Sequence, residues 1–257
     1  MLQRYPLHDL LDGRRPALGL IVNFAAPPMV DLAALMGFDF VMLDAEHGPL
    51  TPALVEPMLR SAELARIAPI VRVSTRTSDD ILRYLDLGVT GIVFPNVESA
   101  EDAEEAVRSV RFPPRGTRGV APNTNASGYG RQMPFRDYMA LANETILAIP
   151  LIESGKGVDA IESILDVAGI TAIGVGPMDL SASLGTPGDP SNPAVRAAID
   201  HVADCCRRRG VPLVLPAANM EQGVESIAKG AGMTLTAVGG LLAGLGTEFT
   251  RALRGNA

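Results

Sequence analysis

Short apolar runs recur along the chain, and each is followed by a stretch with helical spacing. The runs are 17–24 (ALGLIVNF), 38–44 (FDFVMLD), 68–74 (APIVRVS), 91–97 (GIVFPNV), 146–153 (ILAIPLIE), 172–177 (AIGVGP), 212–217 (PLVLPA) and 233–239 (MTLTAVG). They are mostly continuous rather than alternating, as expected of strands buried on both faces in a parallel sheet. Between them lie amphipathic segments with start and stop signals. Thr51 precedes Pro52 at one helix start, Ser78 and Ser99 are caps for two others, and Gly37 and Gly88 mark stops. Glu101 and Asp102 fall in a first turn, where carboxylates suit the helix dipole. The chain closes with a helical pattern over 242–255.

Eight strand–helix units in 257 residues predict a (β/α)8 barrel as a single domain over 1–257, rather than an open doubly wound sheet. No shift of composition marks a second domain. The connection 112–145, rich in Gly, Asn, Pro and Arg, is longer than the rest, as functional or mobile loops often are.

Composition narrows the classes. With 47% hydrophobic and 20% charged residues the chain is globular, and a net charge of −7 leaves no broad basic surface for nucleic acid. Cys205 and Cys206 are adjacent and cannot form a disulfide framework, which points to reduced thiols and a cytoplasmic setting. The leading MLQRYPLHDLLDGRRP has no apolar signal core, and no run is long enough to span a bilayer.

In a barrel, chemistry sits at the C-terminal ends of the strands. Asp44, Glu46 and His47 follow the second run, Arg72 lies in the third, Glu153 ends the fifth and Asp179 follows the sixth. Each also has a structural reading. Asp179 fits a helix N-cap equally well, His47 a satisfied structural histidine, and Arg72 a buried pair with a barrel carboxylate. Glu153 is harder to place so, because a buried Glu must be paired, protonated or metal-bound. Together the residues suit metal-assisted proton abstraction beside a carbonyl. Glu153 and Asp179 offer oxygen ligands for one hard divalent cation, Arg72 a planar fork, and His47 a proton carrier. The small residues of GVGPMDLS let backbone amides approach a carboxylate.

The sequence resembles the HpcH/HpaI aldolases, metal-dependent (class II) pyruvate aldolases. The likeness spans nearly the whole chain and rests on GFDFVMLDAEHGPL, VRVS, YLDLGVTGIVFPNV, PPRGTRG, PLIESGKGVDAIESIL and IGVGPMDLSASLG. It implies cleavage of 4-hydroxy-2-oxo acids to pyruvate and an aldehyde. Glu153 and Asp179 would hold Mg²⁺ or Mn²⁺, with Co²⁺ or Zn²⁺ as alternatives. His47, helped by Asp44, would be the base, acting through a water on the metal. Arg72 would bind the pyruvate oxygen. Gly176, Pro177 and Met178 would border the carboxylate, and Asp86 would be lent to a neighbouring subunit of a trimer or hexamer.

Two departures touch substrate choice: Leu151 stands where many members carry Gln, and there is no Trp after the first strand. Three rivals accompany this reading. One is a Schiff-base aldolase using Lys156 or Lys229, another a citramalyl-CoA or citrate-lyase-type lyase, and the third a non-catalytic 2-oxo-acid-binding barrel.

Overall fold

The computed structural model describes Leu7, Leu11, residues 15–75 and residues 78–255. Most of the leading segment and the side chain of Ser78, a cap in the sequence reading, lie outside the described residues. Eight parallel strands close into a barrel in sequence order. They are β1 (Ala17–Val22), β2 (Phe40–Asp44), β3 (Ala68–Arg72), β4 (Gly91–Phe94), β5 (Leu147–Ile152), β6 (Ile173–Val175), β7 (Leu213–Pro216) and β8 (Ala231–Ala237). Most predicted runs overshoot the C-terminal end of their strand, because residues such as Val73, Val97 and Glu153 stay buried after leaving the ladder.

The helices between strands are α1 (Pro27–Leu35), α2 (Pro52–Ala65), α3 (Ser78–Leu87), α4 (Ala100–Val110), α5 (Phe135–Thr145), the short α6 (Gly155–Asp159) and α7 (Ile161–Leu165), α8 (Pro177–Ser183), α9 (Pro193–Arg209) and α10 (Met220–Ala228). Local chemistry sets their ends. Ser99 accepts a hydrogen bond from the amide of Asp102 and so caps α4. Gly37 and Gly88, at φ 88° and 108°, take up the left-handed turn that ends α1 and α3. Thr51 stands at the N-cap of α2 as expected, but its hydroxyl makes no capping bond.

The core has two parts. Inward-facing Phe40, Met42, Ile70, Val93, Ile149, Leu151, Val214, Met233 and Leu235 fill the barrel, joined by Leu7. Outward-facing strand residues such as Leu20, Leu43, Val71 and Ile92 pack beneath the helices. The closing helix α11 (Val238–Arg254) follows β8 directly and leaves Leu242, Leu245, Phe249 and Leu253 exposed. Leu18, on the outer face of β1, is 38% exposed.

The 112–145 connection is less loop-like than expected. Its last third is α5, whose Phe135, Tyr138, Met139 and Ala142 pack inward. Those positions follow i, i+3, i+4, i+7 spacing, a signal present in the sequence. The preceding segment packs on the outer layer: Asn125 Nδ2 donates to the Leu87 carbonyl at 2.8 Å, and Arg118 lies 4.3 Å over the Phe112 ring.

Candidate active site

At the C-terminal mouth of the barrel lies a cavity of about 230 Å³. His47, Arg72, Glu153 and Asp179 line it, together with Gly176, Pro177 and Met178. These are the residues that the sequence placed at strand ends.

Arg72 ends β3 and is paired with Asp44, which ends β2 in register with it. The guanidinium grips the carboxylate with two bonds, Nε to Oδ1 at 2.9 Å and Nη2 to Oδ2 at 2.7 Å. Asp44 also accepts from the amides of Glu46 and His47, fixing the turn that follows β2. Burial pushes the Asp44 carboxyl pKa up, but these bonds, chiefly those from Arg72, outweigh it and hold the pKa below its ordinary value. The structural reading of Arg72 as half of a buried ion pair is therefore what the barrel contains. The pair also locks the guanidinium with Nη1 turned to Glu46, at 3.3 Å from its Oε2.

Glu153 projects from the end of β5 and is buried. Its Oε2 accepts from the amide of Asn96 at 3.0 Å. Asn96 reaches that geometry with φ of 55°, the left-handed region that few side chains adopt. Across from Glu153, Gly176 leaves room for the carboxylate: a β-carbon there would stand 2.5 Å from Glu153 Oε1. Burial, with the nearby charges of Glu46 and Asp179, pushes the Glu153 carboxyl up to about 7, against the lowering effects of the Asn96 amide and Arg72.

Asp179 is the third residue of α8, whose N-cap is Gly176, so it is not the N-cap residue that the sequence allowed. The Gly176 amide donates to the Ile152 carbonyl at 3.0 Å and Pro177 has none, while Met178 and Asp179 in the first turn line the cavity.

Glu46 was noticed in the sequence only as part of a charged cluster. Its Oε2 is closed off from solvent and accepts no hydrogen bond, with ion-pair contacts alone to Arg72 and, at 3.8 Å, to His47 Nε2. Burial raises its carboxyl above the ordinary range, only partly offset by Arg72 and His47. His47 itself is 59% exposed at the rim, unlike a satisfied core histidine.

Two expected participants lie elsewhere in the chain. Asp44 is buried behind Arg72 and does not line the cavity. Asp86 is on α3 in the outer helix layer, where Arg118 Nη2 donates to it at 3.3 Å and to Tyr138 at 3.2 Å. Neither lysine lines the cavity: Lys156 is exposed beside Glu98, and Lys229 pairs with Asp200 on the outer layer.

Three crowded carboxylates beside one guanidinium carry excess negative charge, and Glu46 retains an oxygen without a hydrogen-bond donor. That donor set fits a divalent cation. Among the described residues no group of three or more His, Cys, Asp or Glu side chains is arranged to hold a metal ion, and Glu153 and Asp179 are the carboxylates that line the cavity.

Known proteins place the chain. The family model described as HpcH/HpaI aldolase/citrate lyase matches residues 17–240. The 5-keto-4-deoxy-D-glucarate aldolase of Escherichia coli O139:H28 is 37% identical over 202 residues, 79% of this chain and 78% of that one. A crystal structure of an HpcH/HpaI aldolase/citrate lyase family protein from Burkholderia cenocepacia J2315 is 32% identical, covers 97% of this chain and 98% of its own, and superposes with a TM-score of 0.92. The citrate synthase SbnG is 30% identical over 98% of both chains, with a TM-score of 0.86. The chain belongs to the HpcH/HpaI aldolase/citrate lyase family.

Proposed function

We propose that this chain, as one catalytic domain, cleaves 4-hydroxy-2-oxo acids to pyruvate and an aldehyde and catalyses the reverse addition. The observation that carries the reading is the buried Glu153, raised to about 7 by burial and by Glu46 and Asp179, beside an Arg72 locked by Asp44.

Glu153 and Asp179 would hold the divalent cation, Mg²⁺ or Mn²⁺ by the hardness of the ligands and Co²⁺ or Zn²⁺ as alternatives. Its contribution there is Lewis-acid withdrawal of charge from the oxygens of the 2-oxo acid. The first-turn amide of Met178, beside Gly176 and Pro177, meets the substrate carboxylate. Arg72 donates to the carbonyl oxygen. His47 at the rim accepts the proton of the 4-hydroxyl, and Glu46 beside it steadies the resulting imidazolium. The C3–C4 bond then breaks, the aldehyde departs, and the electron pair stays with pyruvate as its enolate. Arg72 meets the negative charge where it develops, and protonation at C3 completes the turnover.

Asp86 acts in the site of a neighbouring copy, in a cytoplasmic homo-oligomer of three or six subunits. The exposed apolar stripe of α11 supports assembly of this kind. A second reading, a citrate-synthase or citrate-lyase type of carbon–carbon chemistry, draws on the likeness to SbnG. It predicts dependence on a coenzyme A thioester.

The test is a screen of 4-hydroxy-2-oxo acids for pyruvate release with Mg²⁺, Mn²⁺ or Co²⁺. Activity should require the metal and disappear in Glu153→Ala and Asp179→Ala. Undiminished turnover by either variant in metal-free buffer rejects the ligand assignment.

A further inference from the structure

The cavity has two unlike ends. Its polar side chains, His47, Arg72, Glu153 and Asp179, all stand at the mouth. Below them the walls are Met42, Val93, Ile149, Leu151, Val214 and Leu235, inward-facing residues of five different strands. No side chain on this floor donates or accepts a hydrogen bond, and the backbone groups of the strands are engaged in the closed ladder.

Leu151 governs this floor. It sits one inward position below Glu153 on β5, in register with Gly174 on β6, and its Cδ1 lies 2.7 Å from where a β-carbon on Gly174 would be. The leucine thus leans over its neighbour Gly174, one inward position beneath the carboxylate layer. At about 230 Å³ the cavity exceeds what a three-carbon acid fills, since roughly 150 Å³ suffices for benzene.

A 2-oxo acid satisfies its carboxylate and carbonyl oxygens at the mouth. Whatever extends from C3 into the barrel meets only hydrocarbon. Each methylene buried there gains about fourfold in affinity. A hydroxyl in the same place has no partner and loses on the order of tenfold.

We propose that this floor sets the nucleophile specificity of the site, which takes 2-oxo acids with an alkyl group on C3 in preference to those with a hydroxyl there. The inference rests on the reading of Arg72, Glu153 and Asp179 as the 2-oxo-acid site. Its chemical class is a 2-oxobutyrate or 2-oxovalerate type of donor, and the acceptor aldehyde stays at the polar mouth.

The experiment is calorimetric titration of the Mn²⁺-loaded protein with pyruvate, 2-oxobutyrate, 2-oxovalerate and 3-hydroxypyruvate. The methyl of 2-oxobutyrate and the hydroxyl of 3-hydroxypyruvate are nearly the same size. We expect 2-oxobutyrate to bind at least tenfold more tightly than 3-hydroxypyruvate, and Leu151→Gln to narrow that ratio to threefold or less. Val214→Phe, which shortens the floor, should weaken 2-oxovalerate at least tenfold relative to pyruvate and serves if Leu151→Gln does not fold. Equal or tighter binding of 3-hydroxypyruvate by the wild-type protein overturns the proposal, as does an unchanged ratio in a folded Leu151→Gln. Exchange of C3 protons with deuterated solvent is followed in parallel. Loss of exchange with the binding order kept removes the aldolase reading and leaves the floor assignment standing.

Discussion

Glu153 and Gly176 share one place in the barrel. The carboxylate Oε1 occupies space that a β-carbon on Gly176 would invade at 2.5 Å, and Glu153 Cγ lies 2.8 Å from the same point. Gly176 has φ of −101°, which any residue adopts, so its smallness and not its flexibility is what the site uses. Gly176→Ala should therefore act by displacing Glu153. We expect Mn²⁺ affinity, read by electron paramagnetic resonance, to fall at least tenfold, with a stability loss of about 1–3 kcal/mol from overpacking. Unaltered Mn²⁺ affinity in the folded variant would show that the carboxylate does not depend on this seat.

Asn96 offers a finer probe of the same carboxylate. Its left-handed backbone aims an amide at Glu153 Oε2. Asn96→Gly keeps that conformation accessible and should hold Mn²⁺ affinity within about threefold. Asn96→Val should cost about 1–3 kcal/mol in urea unfolding and weaken Mn²⁺ binding, because a β-branched residue resists φ near 55°. Equal behaviour of the two variants would detach the strained backbone from the site.

The titration of Glu153 has a definite sign. Its carboxyl is raised from 4.5 to about 7 in the folded chain. Between those values the folded protein keeps a proton that the unfolded chain has released. The associated stability is fully present below the unfolded value and is lost as pH rises through the folded one, by roughly 3 kcal/mol in all. Glu153→Gln imitates the protonated form and has no such loss. Melting curves in chelator should show wild type losing stability relative to Glu153→Gln between about pH 5 and 8. A constant difference across that range would mean that Glu153 titrates normally.

Asp86 lies outside the cavity of its own chain but belongs to the proposed machinery, so its action is expected between subunits. Asp86→Ala and His47→Ala should each lower turnover by about 10²-fold or more. Mixed by co-expression, the two variants should regain about a quarter of wild-type activity, the share of sites that pair an intact His47 with an intact Asp86. Mixtures no more active than either parent would place both residues in one subunit's site or remove Asp86 from the reaction.

The barrel was legible because continuous apolar runs and helix punctuation report the same repeat eight times. The site was legible where burial and charge conflict: Glu153 at the end of an apolar run, and Arg72 within one. Arg72 was expected to pair with a barrel carboxylate, but that the carboxylate is Asp44 was not legible, since the pairing depends on β2–β3 register. Asn96 gave no signal, because its contribution is a backbone conformation that sequence composition does not report. Glu46 was seen without a role, since only the folded turn after β2 shuts its Oε2 away from solvent beside Arg72. The α5 helix was hidden by the Pro- and Gly-rich stretch before it, although its own apolar spacing was regular.

The paired steps of β5 and β6 have one more consequence. Leu151 against Gly174 and Glu153 against Gly176 form two storeys, each a long side chain answered by a missing one. If the lower couple sets the carbon skeleton admitted, as proposed above, a lineage that rewrites it alters the donor while the upper couple goes on handling the charge. A change of diet would then need one residue pair and leave the reaction itself intact.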